Sequence, residues 1–279
     1  MQPTQQSTNT RKNLNAIKNI NNRKTLIFAH RGANNEAAEN TRAAFERALQ
    51  YPIDGIETDI QLSKDEVTVL WHDRFLDKLG YPTKHIDDFD YAQLHEMNAA
   101  AHFFTTHQID SGQPESIMTL AEFLATYRKR TRLLLEIKNR NWEAAARHHL
   151  KIQQTLASVG EIRNEEIFMS SFNLDSLIYA HQIRPKFPLI YNLEEYQTIA
   201  DMRAVLADQP FLHGLCLPIA NLGGDVVQLL REQGKSITAY TCNSDEEINQ
   251  ALRWEVDILI SDLPEKSLKM RDAKKHNEA

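Results

Sequence analysis

Residues suited to acid–base and metal chemistry lie at the ends of several apolar runs in the first half of the sequence. Glu57 and Asp59 are two residues apart, so on a β-strand both side chains point to one face and can share one cation. His30 and His72 end two other runs, and two histidines can serve as general acid and general base. Arg31 can hold an anionic oxygen with its planar guanidinium group. A divalent metal ion, an acid–base pair and an anion clamp together suggest phosphate-ester chemistry.

A further apolar run carries Glu136 and Lys138, again two residues apart and therefore on one face of a strand. A charge among apolar neighbours needs a partner or a metal ion. Glu136 can complete a site of three carboxylates with Glu57 and Asp59, which suits a hard cation, and Lys138 would then add positive charge for a phosphate group. A simple ion pair between Glu136 and Lys138 explains this strand equally well, so the strand alone leaves both interpretations open.

The two strand-end histidines favour catalysis over the usual interpretation of a lone histidine as a hydrogen-bonded core residue. Asp73 follows His72 and either orients its ring or caps the next segment. Residues 39–41 (Glu-Asn-Thr) are explained at least as well by the start of a helix, with Asn40 or Thr41 as the cap, as by contact with a substrate. The other nine histidines, such as His148 on a polar helix, show no comparable setting.

Short apolar runs alternate with longer amphipathic stretches along most of the chain. We predict strands at residues 25–30, 55–61, 67–72, 133–138, 167–172, 189–192, 214–217, 236–241 and 258–262. We predict helices at residues 37–51, 91–97, 120–129, 142–159, 174–183, 193–206, 224–233 and 245–253. Strands that alternate with helices of this length are typical of βαβ units and a parallel sheet.

About eight such strands in roughly 250 residues indicate an α/β protein with a closed (β/α)₈ TIM barrel, whose site is built at the carboxyl ends of the strands. The polar residues at those ends are His30, Glu57, Asp59, His72, Glu136, Lys138, Ser171, Asn192 and Asp262. An open doubly wound sheet would need a glycine-rich turn after its first strand, and residues 31–34 do not provide one. We therefore predict the barrel.

The composition sets the limits of the domain and of its partners. Residues 74–117 are of mixed polarity and contain glycines and prolines, so we interpret them as a small insertion in a barrel domain spanning residues 25–272. Residues 1–24 are basic and rich in Asn, Gln and Thr, which predicts a disordered arm. The chain carries a net charge of −6, and its body is more acidic still because the arm is basic. An acidic body argues against extensive nucleic-acid binding.

The cysteines and the apolar runs indicate the compartment. Cys216 and Cys242 each lie inside an apolar run, which favours buried free thiols in a reducing environment. No run approaches the length of about 18 apolar residues that a membrane span requires, and no signal peptide is apparent. We therefore expect a cytoplasmic protein without stable membrane association.

The motifs resemble those of the glycerophosphodiester phosphodiesterases. That family has His-Arg-Gly, Glu-Asn-Thr, Glu-x-Asp, His-Asp and Glu-x-Lys in this order, and all five occur here between His30 and Lys138. The likeness continues through Ser171-Phe172 and Tyr240-Thr241 to the closing segment 261–264, so it spans about residues 25–270. Single motifs of this kind are weak, but five in register are highly specific.

The resemblance implies a (β/α)₈ barrel with a small insertion after the second strand region, in agreement with residues 74–117. It implies an enzyme that hydrolyses glycerophosphodiesters to glycerol 3-phosphate and an alcohol such as choline or ethanolamine. It also implies one Mg²⁺ or Ca²⁺ on Glu57, Asp59 and Glu136, His30 and His72 as the acid–base pair, and Arg31 and Lys138 around the phosphate. These roles agree with those argued from the residues.

The sequence departs from the family pattern at a few positions, and other activities stay open. The family usually has Trp where Tyr240 stands, an aromatic position that lines the substrate pocket, so a smaller ring leaves room for several alcohols. The family also has Gly at Glu255 and Pro at Ala38 and Met118. A phospholipase D-like enzyme for lysophospholipids would use the same site, with Phe75, Phe89, Phe103 and Phe104 lining a lipid-accepting mouth or forming the insertion's own core. A non-catalytic binding barrel is the third interpretation.

Overall fold

The computed structural model describes residues 24–110, 112–139, 143–161 and 166–278, so the predicted arm lies outside the described residues except for Lys24. The strands are β1 (Leu26–His30), β2 (Gly55–Leu62), β3 (Thr68–Leu70), β4 (Arg132–Ile137), β5 (Ile167–Ser171), β6 (Leu189–Asn192), β7 (Gly214–Pro218), β8 (Ser236–Tyr240) and β9 (Ile258–Ser261). The α-helices are α1 (Arg42–Ala48), α2 (Tyr91–His95), α3 (Ala101–Thr106), α4 (Leu120–Tyr127), α5 (Ala145–Val159), α6 (Leu174–Ile183), α7 (Ile199–Asp208), α8 (Gly224–Glu232), α9 (Asp245–Arg253) and α10 (Pro264–Glu278).

All strands except β3 form a closed parallel barrel. The ring runs β1, β2, β4, β5, β6, β7, β8, β9, and β9 pairs back to β1. The prediction of a (β/α)₈ barrel is therefore confirmed. The predicted strand at residues 67–72 is shorter and lies outside the ring, because β3 pairs antiparallel with the end of β2 that extends beyond the barrel.

The alternation of side chains along the strands explains both core layers. Leu134 packs in the barrel lumen with Phe28 and Ile190, whereas its neighbours Leu133 and Leu135 pack outside, in the layer against the helices. Because alternate residues of a strand face the same side, Glu136 follows Leu134 towards the lumen. The site residues are thus placed at the mouth of the barrel by the same pattern that builds its core.

Two helices, α1 and α7, begin later than predicted from the sequence because a side chain caps each of them. The side chain of Thr41 accepts a hydrogen bond from the backbone N–H of Ala44, so α1 begins at Arg42 and not at residue 37 as predicted. Thr198 and Asp201 form a capping box, so α7 begins at Ile199 and the predicted helix at 193–206 starts too early. Helix α10 was not predicted, since its sequence is mostly charged.

The insertion at residues 74–117 packs around a small core of its own. Leu76, Ile86, Leu94 and Ile117 are buried there with Trp71, and Phe89 packs against them. Phe103 instead lines a separate pocket beside the barrel mouth. The cysteines Cys216 and Cys242 are buried free thiols. None of the described helices is long and apolar enough to cross a membrane.

Candidate active site

Three carboxylates meet at the mouth of the barrel. Glu57 and Asp59 follow the same face of β2, and the register of the sheet pairs Asp59 with Glu136 on β4. All three residues are buried, at 3%, 1% and 9% relative exposure. Each offers an oxygen atom, and these atoms lie within 4.8 Å of one another. The structure therefore brings together the three residues that the sequence proposed as metal ligands.

The electrostatics of these carboxylates fit a cation. The pKa of Glu57 is raised well above its ordinary value by burial and then by the charges of Asp59 and Glu136. Asp59 has a lowered pKa: burial opposes this shift, but Lys138 and Arg31 outweigh it. Its buried Oδ1 atom accepts no hydrogen bond from the described residues. Three buried carboxylates beside two basic residues leave an excess of negative charge, which a hard divalent cation with oxygen ligands would balance.

The two basic residues of the site are held by these same carboxylates. Arg31 follows β1 with a left-handed backbone (φ 56°), and its Nε lies 3.2 Å from Asp59 Oδ2. Its backbone N–H donates to Glu57 Oε2 at 3.2 Å. Lys138 Nζ donates to Glu136 Oε1 at 2.6 Å and lies 3.3 Å from Asp59 Oδ1. The ion pair between Glu136 and Lys138, one of the two interpretations of β4, is therefore present within the carboxylate cluster.

Each candidate catalytic histidine has a carboxylate behind its ring. The Nδ1 atom of His30 donates to Asp262 Oδ1 at 2.6 Å, which leaves Nε2 at 3.9 Å from Glu57 Oε2. Burial and then the charge of Arg31 lower the pKa of His30, although Asp262 acts in the opposite direction. The Nδ1 atom of His72 lies 2.8 Å from Asp73 Oδ1, so Asp73 orients the ring, one of the two roles considered for it.

Asp262, one of the strand-end polar residues, belongs to the candidate site through its contact with His30, although the sequence indicated no specific role for it. Its carboxylate accepts hydrogen bonds from His30, from Asn34 Nδ2 at 2.7 Å and from Asn243 Nδ2 at 2.6 Å. These contacts lower its pKa to about 2 although burial opposes the shift. Asp262 follows β9, the neighbour of β1 in the closed barrel, so the predicted topology already contained the signal that would place it beside His30.

Asn40 and Thr41, two of the residues at 39–41, have different roles. Thr41 caps α1, as the simpler interpretation proposed. Asn40 is buried and donates from Nδ2 to Asp59 Oδ2 at 2.9 Å, while its Oδ1 accepts from Thr58 Oγ1 at 2.7 Å. It therefore fixes the orientation of a proposed metal ligand.

Aromatic side chains line the pocket above the charged residues. Phe172 and Tyr240 lie in its wall, with ring centroids 5.9 Å apart and planes almost perpendicular. The hydroxyl of Tyr240 donates to the backbone oxygen of Leu193 at 2.6 Å. Tyr240, the predicted substrate-binding residue, thus contributes its ring to the pocket while its hydroxyl is held by the barrel.

His148 lies on helix α5 rather than at a strand end, as expected, but its ring also contacts a carboxylate. Its Nδ1 lies 3.2 Å from Glu143 Oε2, and its Nε2 lies 2.6 Å from Ser176 Oγ on α6. No sequence pattern indicates this arrangement, because Ser176 belongs to the next helix and meets His148 only when α5 and α6 pack together.

The comparisons with known proteins agree with this geometry. Residues 30–266 match the model of the glycerophosphoryl diester phosphodiesterase family. A glycerophosphodiester phosphodiesterase from Bacillus altitudinis is 27% identical over 261 residues, which cover 90% of this chain and 100% of that protein. The match confirms the family resemblance that the five motifs carry and the class of enzyme, a phosphodiesterase.

Solved structures show the same fold. The crystal structure of a protein from Silicibacter pomeroyi superposes on this chain with a TM-score of 0.79 at 19% identity. The superposition covers 91% of this chain and 95% of that protein. A phosphodiesterase from Oleispira antarctica, in complex with the product sn-glycerol-3-phosphate, has a TM-score of 0.75 at 24% identity. It covers 88% of this chain and 96% of that chain.

Proposed function

Because the chain belongs to the glycerophosphoryl diester phosphodiesterase family, we propose that it hydrolyses glycerophosphodiesters to glycerol 3-phosphate and an alcohol with one divalent cation, Mg²⁺ or Ca²⁺. The observation that carries the proposal is the convergence of three buried carboxylates, two basic residues and two carboxylate-bound histidines in one pocket. The product complex of the Oleispira antarctica relative supports glycerol 3-phosphate as the product.

The charged residues divide the work of binding the phosphodiester. Glu57, Asp59 and Glu136 would hold the cation, which neutralises charge on the phosphoryl oxygens and acidifies the attacking hydroxyl. Arg31 and Lys138 are held beside these carboxylates, where they can bind the remaining phosphoryl oxygens. Asn40 keeps Asp59 in place through its amide hydrogen bond.

The two histidines take the proton transfers. Burial lowers the pKa of His30, which favours the neutral ring, and with Nδ1–H bound to Asp262 the Nε2 atom is free to accept a proton. We therefore assign His30 as the base and His72, oriented by Asp73, as the acid that protonates the leaving oxygen. The nucleophile is either water or the glycerol hydroxyl of the substrate, which would give a cyclic phosphate.

Small deacylated diesters are the substrates we favour over lysophospholipids. Phe89 packs into the core of the insertion, which removes it from a lipid-accepting mouth. The acidic net charge also gives little attraction to an anionic membrane surface. In the same proposal the enzyme is cytoplasmic and has no nucleic-acid partner.

Product analysis tests the proposal. Glycerophosphocholine, glycerophosphoethanolamine and lysophosphatidylcholine are each incubated with the full chain in excess chelator, in Mg²⁺ and in Ca²⁺. For the two diesters, glycerol 3-phosphate is measured with a coupled dehydrogenase. For the lysolipid, which would give acyl-glycerol 3-phosphate and choline, the released choline is measured. We expect metal-dependent release from both diesters, because the pocket is built for one phosphodiester charge. A much higher specificity constant for the lysolipid would assign the lipid activity instead, and no turnover of any of the three would refute the enzyme assignment.

A further inference from the structure

Lys78 extends from the insertion to the barrel mouth and binds two carboxylates at once. It lies in a single 3₁₀ turn, Asp77–Leu79, outside the barrel. Its Nζ donates to Glu39 Oε1 at 2.5 Å and lies 2.9 Å from Asp73 Oδ2. The three side chains are only partly exposed, at 32%, 20% and 29%, so solvent screens their charges less than at an open surface.

Each of these carboxylates uses its other oxygen for a residue of the proposed active site. Glu39 Oε2 accepts from Arg31 Nη1 at 2.7 Å. Asp73 Oδ1 lies 2.8 Å from His72 Nδ1. A continuous chain of ion pairs and hydrogen bonds therefore runs from Arg31 through Glu39, Lys78 and Asp73 to His72.

The charges explain why a cation is needed at the centre of this chain. Ligand atoms of Glu39, His72 and Asp73 lie within 4.8 Å of one another, so the two carboxylates would repel each other if nothing lay between them. Such a group has the composition of a metal site, but the Lys78 ammonium already binds both carboxylates there. The protein thus supplies the cation itself.

We propose that Lys78 is a positioning residue: by binding Glu39 and Asp73 together, it holds the phosphate-binding Arg31 and the acid His72 in their reactive geometry. This inference rests on the proposed function. Without the ammonium group, repulsion would draw Asp73 away from His72 and Glu39 away from Arg31. A misplacement of about 1 Å in such groups can lower a rate by about 10²-fold.

The test replaces Lys78 and follows both catalysis and the His72 ring. We expect Lys78→Met to lower kcat for glycerophosphocholine by about 10²-fold at saturating metal. Lys78→Arg keeps the charge and should recover most of that rate. The matched control is Lys84→Met, which removes an exposed lysine from the same insertion and should leave kcat unchanged.

A second measurement does not depend on turnover. In ¹⁵N NMR spectra the Nδ1 resonance of His72 reports its contact with Asp73, and we expect it to move in Lys78→Met and to return in Lys78→Arg. The double variant Lys78→Met/Asp73→Asn should lose much less rate than the product of the two single losses, because both changes act through His72. If Lys78→Met does not fold, Lys78→Gln takes its place in every measurement.

The outcomes separate this proposal from the function on which it rests. An inactive wild-type chain would refute the proposed function, while the NMR comparison would still test the role of Lys78. A wild-type chain that turns over, together with a Lys78→Met variant of unchanged kcat and unchanged His72 resonance, would overturn the positioning role. A loss of rate that Lys78→Arg does not recover would overturn it as well.

Discussion

Two groups of the described residues can be compared, because in each a histidine lies within 3.2 Å of a carboxylate: one group at the barrel mouth and one where helices α5 and α6 pack together. At the mouth, His30 and His72 each bind an aspartate through Nδ1. The outer cluster consists of Glu143, His148, Lys151 and Ser176. Its order of carboxylate, imidazole and hydroxyl, with contacts of 3.2 and 2.6 Å, matches the triad of a serine hydrolase.

Access distinguishes the two groups. His148 and Ser176 are 7% and 1% exposed, so no substrate can reach the hydroxyl. Ser176 also donates from Oγ to Asn173 Oδ1 at 2.9 Å, at the start of α6. The mouth histidines instead line an open pocket with the carboxylates and basic residues. Hydrogen bonds between suitable residue types do not make a site unless one partner is left free for a substrate.

The balance of charge differs in the same direction. Glu143 has two basic neighbours, and although burial raises its pKa, His148 and Lys151 lower it to about 2. At the mouth the carboxylates are in excess, and burial with two like charges raises the pKa of Glu57. The outer cluster is satisfied within the protein, whereas the carboxylates at the mouth fit a further cation. The first arrangement stabilises the fold, and the second is poised for binding.

The metal requirement is the largest expected difference between the two groups. Chelation should reduce activity to background because it removes the cation that balances the carboxylate cluster. Glu57→Gln should do the same because the remaining negative charge is too weak to bind the cation. Glu143→Gln is the matched change in the outer cluster and should keep the maximal rate. Activity assays with added Mg²⁺ or Ca²⁺ measure both effects. Full activity in excess chelator would falsify the metal role.

The histidines provide the next largest contrast. His30→Ala and His72→Ala should each lower kcat by about 10²–10⁴-fold, since in the proposed mechanism each transfers a proton in the same reaction. The double variant should cost much less than the product of the two losses. His149→Ala, on α5 outside both groups, is the control. A single variant with nearly wild-type kcat would remove that histidine from the mechanism.

The mouth was accessible to sequence analysis because its residues follow strands. A period of two placed Glu57 with Asp59, and the parallel pairing of β2 with β4 brings Glu136 to them. Asp262 was within reach of the same reasoning, since a closed barrel makes β9 the neighbour of β1, but its local sequence suggested no role for it. The contacts of Lys78 and Ser176 are harder still to predict. Lys78 lies in an irregular insertion, and Ser176 meets His148 only through the packing of two helices. No local period describes either contact.

Acid should weaken the outer cluster in a defined range. The folded-state pKa of Glu143 is depressed to about 2, so its contribution to stability is present above the ordinary glutamate pKa of about 4.3 and is lost as the pH falls towards 2. A shift of this size corresponds to about 3 kcal/mol. Glu143→Gln should therefore lower the free energy of unfolding at pH 7 by about that amount. The difference in unfolding free energy between the wild type and the variant should narrow below about pH 4. Denaturant unfolding at several pH values measures it. A difference independent of pH would contradict the charge argument.

The smallest expected effect is also the one that tests the comparison most directly. Ser176→Ala removes the hydroxyl that makes the outer cluster look like a triad, and Ser176 Oγ contacts both His148 and Asn173. Losing hydrogen bonds of this kind costs about 1 kcal/mol, so the unfolding free energy should fall slightly. Turnover of glycerophosphocholine should not change, because the hydroxyl is buried away from the mouth. Hydrolysis of a simple carboxylic ester by the wild-type chain, lost in Ser176→Ala, would show that the outer cluster opens to substrates and that burial does not separate the two groups.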